Sequence, residues 1–199
     1  MQPLFVHDSV LVGLMVAGLL IWRVMEAVVD IRTSKRLRGG ARRQDKGSRV
    51  VLLCLIVFGL LLGVLLAYKV PATVITGAGV FLAWLSILLI YAGIALRLYA
   101  IIVLGAFFTT AVAVAPGQPV IETGPYRLIR HPSYSGLLII LLGFGLSLTN
   151  WLSLLVIMGC GLIGFGYRIH VEERVLQEHL GQPYQEYMRH TKRLIPFVL

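Results

Sequence analysis

The chain contains three apolar stretches long enough to cross a lipid bilayer, and this feature limits its fold more than any other. They cover residues 10–29, 50–68 and 72–96. A spanning helix needs about 20 apolar residues to cross a hydrocarbon core of roughly 30 Å. The first stretch has no basic residue before it and no small-residue cleavage site after it, so we expect a retained helix rather than a signal peptide. The sequence predicts three N-terminal transmembrane helices.

Two shorter apolar stretches follow, at residues 136–148 and 151–167. The polar pair Thr149 and Asn150 between them suits a tight turn between antiparallel helices. We expect the second arm to continue beyond the bilayer as an amphipathic helix to Leu180, where a glycine and a nearby proline end it. The two stretches predict a helical hairpin and bring the number of crossings to five.

The composition excludes a disordered chain and argues against a soluble domain. Of the 199 residues, 58% are hydrophobic and 14% are charged. In soluble domains about half of the residues are hydrophobic and about a quarter are charged. We therefore predict an all-α integral membrane protein with a single membrane domain over residues 1–199. Residues 1–97 hold the three N-terminal helices and a basic loop, and residues 98–199 hold the hairpin and the polar motifs.

The basic residues indicate how the helices are oriented. The net charge of +9 would suggest a nucleic-acid partner in a soluble protein, but in a membrane protein it reports orientation, so we expect lipid and no nucleic acid as a partner. The loop after the first helix holds Arg32, Lys35, Arg36, Arg38, Arg42, Arg43, Lys46 and Arg49. By the positive-inside rule this loop is cytoplasmic. Five crossings of a plasma or inner membrane then place the N-terminus outside and the C-terminus, with all polar motifs, in the cytoplasm.

The stretch between the third and fourth helices is the least helix-like. Two short β-prone runs, residues 110–114 and 119–123, flank a turn signal at residues 115–118. This pattern predicts a small hairpin at the cytoplasmic surface. A solvated connector is the alternative.

The densest polar cluster lies at residues 124–136, directly before the fourth helix. Pro132 suits the first turn of a helix, whose free N–H groups and positive dipole end then face the cytoplasm. Arg127, Arg130 and His131 add cationic or donor groups, so an anionic group can bind here. The alternative is a basic collar in the interface with tyrosines in the aromatic belt.

A second cluster occupies residues 168–178, at the end of the fifth helix. Arg168 and Glu172 share a helix face, while Glu173 lies about 100° away. Alone, these residues would form a solvated helix end with a weak ion pair. A hairpin, however, brings them close to His131 and Tyr134, so the two clusters would line one pocket. The tail that follows, residues 184–197, is either an interfacial helix or a lid over that pocket.

The motifs of the C-terminal half form a specific combination. Its members are Leu104-Gly105-x-Phe107-Phe108-Thr109, Gly124-Pro125-Tyr126, Arg130-His131-Pro132-Ser133-Tyr134-x-Gly136, Arg168, Glu172-Glu173, Leu180-Gly181-x-x-Tyr184-x-x-Tyr187 and Leu194-x-Pro196. This combination resembles the isoprenylcysteine carboxyl methyltransferase family. The resemblance implies an integral membrane methyltransferase that uses S-adenosylmethionine, releases S-adenosylhomocysteine and accepts a lipidated cysteine carboxylate from the bilayer. Residues 98–199 would then be its catalytic half.

The resemblance and the side-chain chemistry together give a set of candidate site residues. The candidates for cofactor binding are Tyr126, Arg130, His131, Pro132, Tyr134, Gly136 and Glu173. The catalytic candidates are Arg168, as a bidentate clamp for the carboxylate, Arg193 as its assistant, and Glu172. Either Glu172 or Glu173 would neutralise the clamp or bind the cofactor's ammonium group. A carboxylate is already a nucleophile, so alignment and exclusion of water should supply most of the rate.

Three alternative functions stay open at this point. A phospholipid or small-thiol methyltransferase would need a base, for which Glu173 or His170 is available. A sterol-reductase-like enzyme would use the glycine spacing of residues 159–164, although these glycines lie inside an apolar helix and favour helix packing. A channel would bury charges at bilayer depth, whereas most charges here lie at helix ends. A metal site is not expected, because His170 and Glu173 lack further ligands.

Overall fold

The structure is a computed structural model that describes residues 9–37, 42–43, 45, 47–114 and 117–196. Six α-helices and two short strands follow one another along these residues. In chain order they are α1 (Ser9–Leu37), β1 (Arg42–Arg43), α2 (Ser48–Lys69), α3 (Gly79–Leu104), β2 (Ala113–Val114), α4 (Pro132–Ser147), α5 (Trp151–Leu180) and α6 (Gln182–His190). Single 3-10 turns lie at Pro71–Thr73, Gly105–Phe107 and Gly124–Arg127. The predicted all-α membrane fold is confirmed.

Four of the helices, α1, α2, α3 and α5, are long and apolar enough to cross a membrane. The fourth helix of the chain, α4, has 16 residues and therefore extends about 24 Å, slightly less than a typical hydrocarbon core. The protein is thus a multi-pass membrane protein, while the count of five crossings stays a prediction.

The helices pack in the spatial order α1, α3, α4, α5, α2. Small residues allow the close approaches: a β-carbon added at Gly136 of α4 would lie 2.7 Å from the carbonyl oxygen of Gly93 in α3. Between α2 and α5, Gly59 and Gly63 face Cys160 and Ile157 in the same way. Small-residue contacts of this kind are how membrane helices approach each other closely.

The predicted helical hairpin is confirmed as the pair α4 and α5. Asn150 caps α5, and its side-chain oxygen accepts a hydrogen bond from the backbone N–H of Ser153 at 3.0 Å. The amphipathic extension to Leu180 is also confirmed, and it ends at Gly181 in a conformation with φ of 60°. Such a positive φ suits glycine because it has no β-carbon.

Two sequence predictions about element positions are wrong. The third helix runs from Gly79 to Leu104 instead of residues 72–96, because Pro71 and Gly77 delay its start and because Arg97 is paired inside the protein and does not end it. The predicted hairpin of residues 110–114 with 119–123 does not form. Instead β2 pairs antiparallel with β1, and residues 119–123 are not a strand; Ala115 and Pro116 of the turn lie outside the described residues.

The chain direction brings the polar motifs to one end of the bundle. At this end, called here the polar end, α1, α3 and α5 finish while α2 and α4 begin. Strand β1 lies in the connection between α1 and α2, and β2 lies in the connection between α3 and α4. Both connections are at the polar end, so the two strands can pair there. All the site residues predicted from the sequence therefore belong to one neighbourhood.

Candidate active site at the polar end

The segment that leads into α4 is fixed by the C-terminal tail. The backbone N–H groups of Arg130 and His131 donate to the carbonyl oxygens of Lys192 and Arg193 at 2.7 Å and 3.0 Å. The Ser135 hydroxyl donates to the carbonyl oxygen of Leu194 at 2.6 Å. This strand-like contact between the tail and the first turn of α4 was not predictable from the sequence.

Glu173 joins three of the predicted residues. Its two carboxylate oxygens accept hydrogen bonds from Nε of Arg130 at 2.8 Å and from Nε of Arg193 at 3.0 Å. The ring nitrogen Nε2 of His131 lies 3.4 Å from the first of these oxygens. The carboxylate is buried, so the two guanidinium groups offset the cost of its desolvation.

A second network connects α4, α5 and the start of α2. The Tyr134 hydroxyl donates to Glu172 at 2.5 Å and accepts from Nε of Arg168 at 3.2 Å. The other donors of Arg168 reach the Ser48 hydroxyl at 2.7 Å, the carbonyl oxygen of Thr110 at 2.9 Å, and the carboxylate of Asp45. Every nitrogen of this arginine is therefore engaged by the protein itself.

These networks border a cavity of about 480 Å³, a size typical of small-molecule sites. Six of the predicted residues line it: Tyr126, Arg130, His131, Tyr134, Arg168 and Glu172. The expected meeting of the two polar clusters in one pocket is confirmed.

The other four predicted residues are placed differently. Glu173 lies behind the wall and holds Arg130, while Arg193 is half exposed beside it. Pro132 is buried as the first residue of α4, and Gly136 packs against α3. Their positions suit support of the cavity wall.

The short helix α6 contributes two buried tyrosines to the cavity, Tyr184 and Tyr187. The Tyr187 hydroxyl donates to the carbonyl oxygen of Tyr126 at 2.6 Å. Burial is the largest cause that raises the pKa of Tyr126, Tyr184 and Tyr187 above the usual tyrosine value. These hydroxyls therefore stay protonated near neutral pH, and that of Tyr187 serves as a donor within the protein.

Several residues of the site lie in the N-terminal half of the chain and were not among the candidates predicted from the sequence. Glu26 of α1 pairs with Arg97 of α3, and both line the cavity, while Asp45 and Ser48 hold Arg168. A signal for the first pair was present, because an ionisable residue within an apolar run is a functional candidate by default. Asp45 gave no such signal, since it lies in a loop rich in charge.

The described residues include no group of three or more histidine, cysteine, aspartate or glutamate side chains arranged to hold a metal ion. His131 presents Nε2 as a buried atom without a hydrogen-bond partner among the described residues. Its polar neighbour is the Glu173 carboxylate, 3.4 Å away.

The fold and the cavity define a multi-pass membrane protein with a polar site at one end of its helices. A comparison with known families confirms the resemblance seen in the motifs: the model of the isoprenylcysteine carboxyl methyltransferase family matches residues 84–178. The matched segment includes Arg97 of α3, the whole of α4 and most of α5. It excludes α1, α2 and α6.

Curated relatives point to the same family. The chain is 31% identical over 120 residues to a probable protein-S-isoprenylcysteine O-methyltransferase of Oryza sativa subsp. indica, covering 59% of this chain and 63% of that protein. It is 33% identical over 120 residues to protein-S-isoprenylcysteine O-methyltransferase B of Arabidopsis thaliana, covering 58% of this chain and 61% of that protein. The chain thus spans about three fifths of the length of these relatives.

A solved structure is also similar. The eukaryotic intramembrane Ras methyltransferase, an isoprenylcysteine carboxyl methyltransferase solved without a monobody, aligns with a TM-score of 0.57 and 27% identity. The alignment covers 73% of this chain and 52% of that one. The likeness therefore extends beyond the segment matched by the family model.

Proposed function

We propose that the protein is an integral membrane methyltransferase that uses S-adenosylmethionine to methylate the carboxylate of an isoprenylated cysteine or a similar membrane-borne acceptor. The observation that carries this proposal is a single cavity with a polar and an apolar part. The polar part is lined by residues of the matched motifs, and the apolar part extends between α1 and α2. Such a cavity suits a charged cofactor beside a lipidated acceptor.

The apolar part is lined by side chains of three helices. Its walls are Trp22 of α1, Leu137 of α4 and, along α2, Leu53, Ile56, Val57 and Leu60. From Ser48, where α2 begins, to Leu60 the helix rises about 18 Å, which reaches well into the bilayer. We infer that the acceptor's isoprenoid or other lipid chain lies in this part and enters from the bilayer.

The polar part offers groups that match each portion of the cofactor. Tyr126 and Tyr134 present aromatic faces for an adenine ring, and Glu172 presents a carboxylate for the ammonium group. His131 contributes its ring to the cavity lining, while Glu173 keeps Arg130 in place with Arg193. Pro132 fixes the start of α4, and Gly136 lets α4 approach α3. When bound, the cofactor supplies an activated sulfonium methyl group and leaves as S-adenosylhomocysteine.

The roles of the chain in the reaction are mainly orientation and exclusion of water. We assign the carboxylate clamp to Arg168, whose position beside Tyr134 and Glu172 places it between the two parts of the cavity. Tyr184 and Tyr187 of α6 would close the cavity toward water, which strengthens charge interactions inside it.

The same proposal includes the location of the site. We place the polar end in the cytoplasm and the N-terminus outside, in the plasma or inner membrane, because the basic loop lies at the polar end. We also divide the single membrane domain into residues 1–97, which contribute the acceptor side, and residues 98–199, the catalytic half.

Two measurements on detergent-solubilised protein test the proposal. Calorimetry with S-adenosylhomocysteine should give a dissociation constant in the range of about 1 to 10 μM, corresponding to roughly 7 to 8 kcal/mol. Transfer of a labelled methyl group should occur to an S-isoprenyl cysteine with a free carboxylate. Transfer to a lipid amine or a small thiol instead would indicate the alternative acceptors. Binding of a nicotinamide dinucleotide without S-adenosylhomocysteine would contradict the proposal.

A further inference from the structure

A carboxylate of α1 faces the cavity between its polar and apolar parts. Glu26 accepts hydrogen bonds from Nη2 of Arg97 at 2.7 Å, from Nε of the same arginine, and from Nε1 of Trp22 at 3.2 Å. Arg97 is buried and directs its third nitrogen, Nη1, to the Ser133 hydroxyl at 2.5 Å. Both members of the pair line the cavity.

Arg97 and Arg168 approach the cavity from two sides of α4. Arg97 contacts Ser133, and Arg168 contacts Tyr134, the next residue in the first turn of that helix. Consecutive helical residues point about 100° apart. A carboxylate above this turn is therefore within the field of two guanidinium groups, one from α3 and one from α5.

Of the carboxylates that engage the buried arginines, Glu26 is the one best suited to exchange. Asp45 also caps α2, since it accepts from the Ser48 hydroxyl and from the backbone N–H of Arg49. Glu173 is held by two arginines. Glu26 is held by one arginine and an indole, and its side chain keeps 18% of its surface exposed. It can therefore turn away from Arg97 without removing a helix cap.

We propose that Glu26 is an internal carboxylate that the acceptor's own carboxylate replaces on Arg97. The inference rests on the proposed function and deepens it, because it assigns the acceptor's head group to a second arginine and makes α1 part of acceptor recognition. An acceptor carboxylate offers Arg97 the same two-oxygen geometry as Glu26. The buried guanidinium stays compensated throughout the exchange, which a neutral head group would not achieve.

The test is the binding of an N-acylated S-isoprenyl cysteine to the full-length Glu26→Gln protein in detergent. Glutamine keeps the size of the side chain but removes the competing charge. The carboxylate ligand should bind about tenfold more tightly than to the wild type, a change on the scale of one charge-assisted hydrogen bond. Its methyl ester, which lacks the charge, should bind both proteins equally, and so should S-adenosylhomocysteine.

A surface variant provides the matched control. Glu178→Gln makes the same substitution in an exposed ion pair with Arg174, so it should leave the affinity for the carboxylate ligand unchanged. Thermal unfolding offers a second readout, because a ligand raises the melting temperature according to its affinity for the folded state. The rise caused by the carboxylate ligand should be larger in Glu26→Gln than in the wild type or the control.

The outcomes separate this inference from the proposed function. If the wild type binds and methylates the carboxylate ligand but Glu26→Gln binds it equally or more weakly, the exchange is wrong and the proposed function stands. If the wild type neither binds nor methylates the ligand, both are wrong. Should Glu26→Gln not fold, Glu26→Asp replaces it, because the shorter side chain keeps the charge but weakens the contact with Arg97. The carboxylate ligand should then bind more tightly than to the wild type, by a smaller factor than in Glu26→Gln. An unchanged affinity in Glu26→Asp would overturn the inference.

Discussion

At the scale of single residues, the cavity is characterised by arginines that the protein has already paired. Arg49, Arg97, Arg130 and Arg168 line it, and each contacts a carboxylate of the chain: Asp30, Glu26, Glu173 and Asp45. Pairing offsets the cost of holding these charges away from water. An anionic ligand that binds one of these four arginines must therefore compete with a carboxylate of the protein, so its affinity depends on the internal partners as well as on the arginines.

Arg168→Ala is expected to abolish most of the activity. The substitution removes the proposed clamp, the donor to Tyr134 and the partner of the buried Asp45. Loss of one member of a buried charge pair costs about 2 to 5 kcal/mol in binding, so kcat/KM should fall roughly 30-fold or more. The measurement is methyl transfer alongside calorimetry. Arg174→Ala on the same helix removes an exposed ion pair and should change neither methyl transfer nor the affinity measured by calorimetry. If Arg168→Ala also leaves both quantities unchanged, the assignment of the clamp to Arg168 is wrong.

Tyr134→Phe tests the junction between the two networks. The variant keeps the ring, which stacks on His131 with centroids 5.5 Å apart, but loses the hydroxyl that links Arg168 to Glu172. Removal of a hydrogen bond to a charged group costs about 1.5 to 3 kcal/mol, so the affinity for S-adenosylhomocysteine should fall by roughly tenfold or more. Calorimetry measures it, with Tyr167→Phe as the exposed control. An affinity equal to the wild type would mean that the Tyr134 hydroxyl does not position Glu172 for the cofactor.

The part of the site formed by α4 and α5 could be predicted from the sequence. Tyr134, Glu172 and Glu173 were predictable because they belong to local motifs and because a helical hairpin brings the two motifs together. Asp45 and Glu26 were not placed with them, since their partners Arg168 and Arg97 lie 123 and 71 positions away along the chain. A single sequence gives no measure of which distant charges meet, and burial of a pair is decided by the packing of helices.

At the scale of helices and strands, the long apolar elements were predictable and the short ones were not. Length and composition define α2 and α5 to within a few residues. The helix α1 continues eight residues beyond the predicted stretch 10–29, to Leu37, and the charged Arg97 of α3 looks like a helix end in the sequence. Strand pairing is different, because β-propensity depends strongly on neighbours. Residues 113–114 are β-prone, but their partner β1 is supplied by the return of the loop between α1 and α2.

The contact between α3 and α4 gives a prediction at this scale. In Gly136→Ala the new methyl group would lie 2.7 Å from the Gly93 carbonyl oxygen and 2.9 Å from the backbone nitrogen of Arg97, so the helices must separate. Overpacking of this kind costs about 1 to 3 kcal/mol. The melting temperature of the purified protein should therefore fall, and the Arg97–Ser133 contact should weaken with it.

Gly159→Ala in α5 is the matched control, because nothing lies within 4 Å of its added methyl group. Alanine favours a helix over glycine by about 1 kcal/mol, so this variant should be neutral or slightly more stable. Equal melting temperatures for the two variants would mean that α3 and α4 are not in close contact at Gly136.

At the scale of the whole molecule, the site needs both halves of the chain. The family model matches residues 84–178, yet Glu26, Asp45 and Ser48 of the preceding half contact the arginines of that segment. The apolar part of the cavity likewise has α1 and α2 as walls. Differences in acceptor between members of such a family would thus arise in the helices that the shared motifs do not include.

The orientation of the helices in the membrane determines the compartment from which the proposed cofactor would reach the cavity. The chain should place the polar end inside, because the basic loop between α1 and α2 lies there. In a variant with Cys54 and Cys160 replaced by alanine, Thr76→Cys marks the opposite end and Arg189→Cys marks α6; both positions are exposed. A membrane-impermeant maleimide should label Thr76→Cys in intact cells and Arg189→Cys after permeabilisation alone. The reverse labelling pattern would place the cavity outside the cell. It would contradict the orientation expected from the positive-inside rule and the proposal that the methyl donor binds from the cytoplasm.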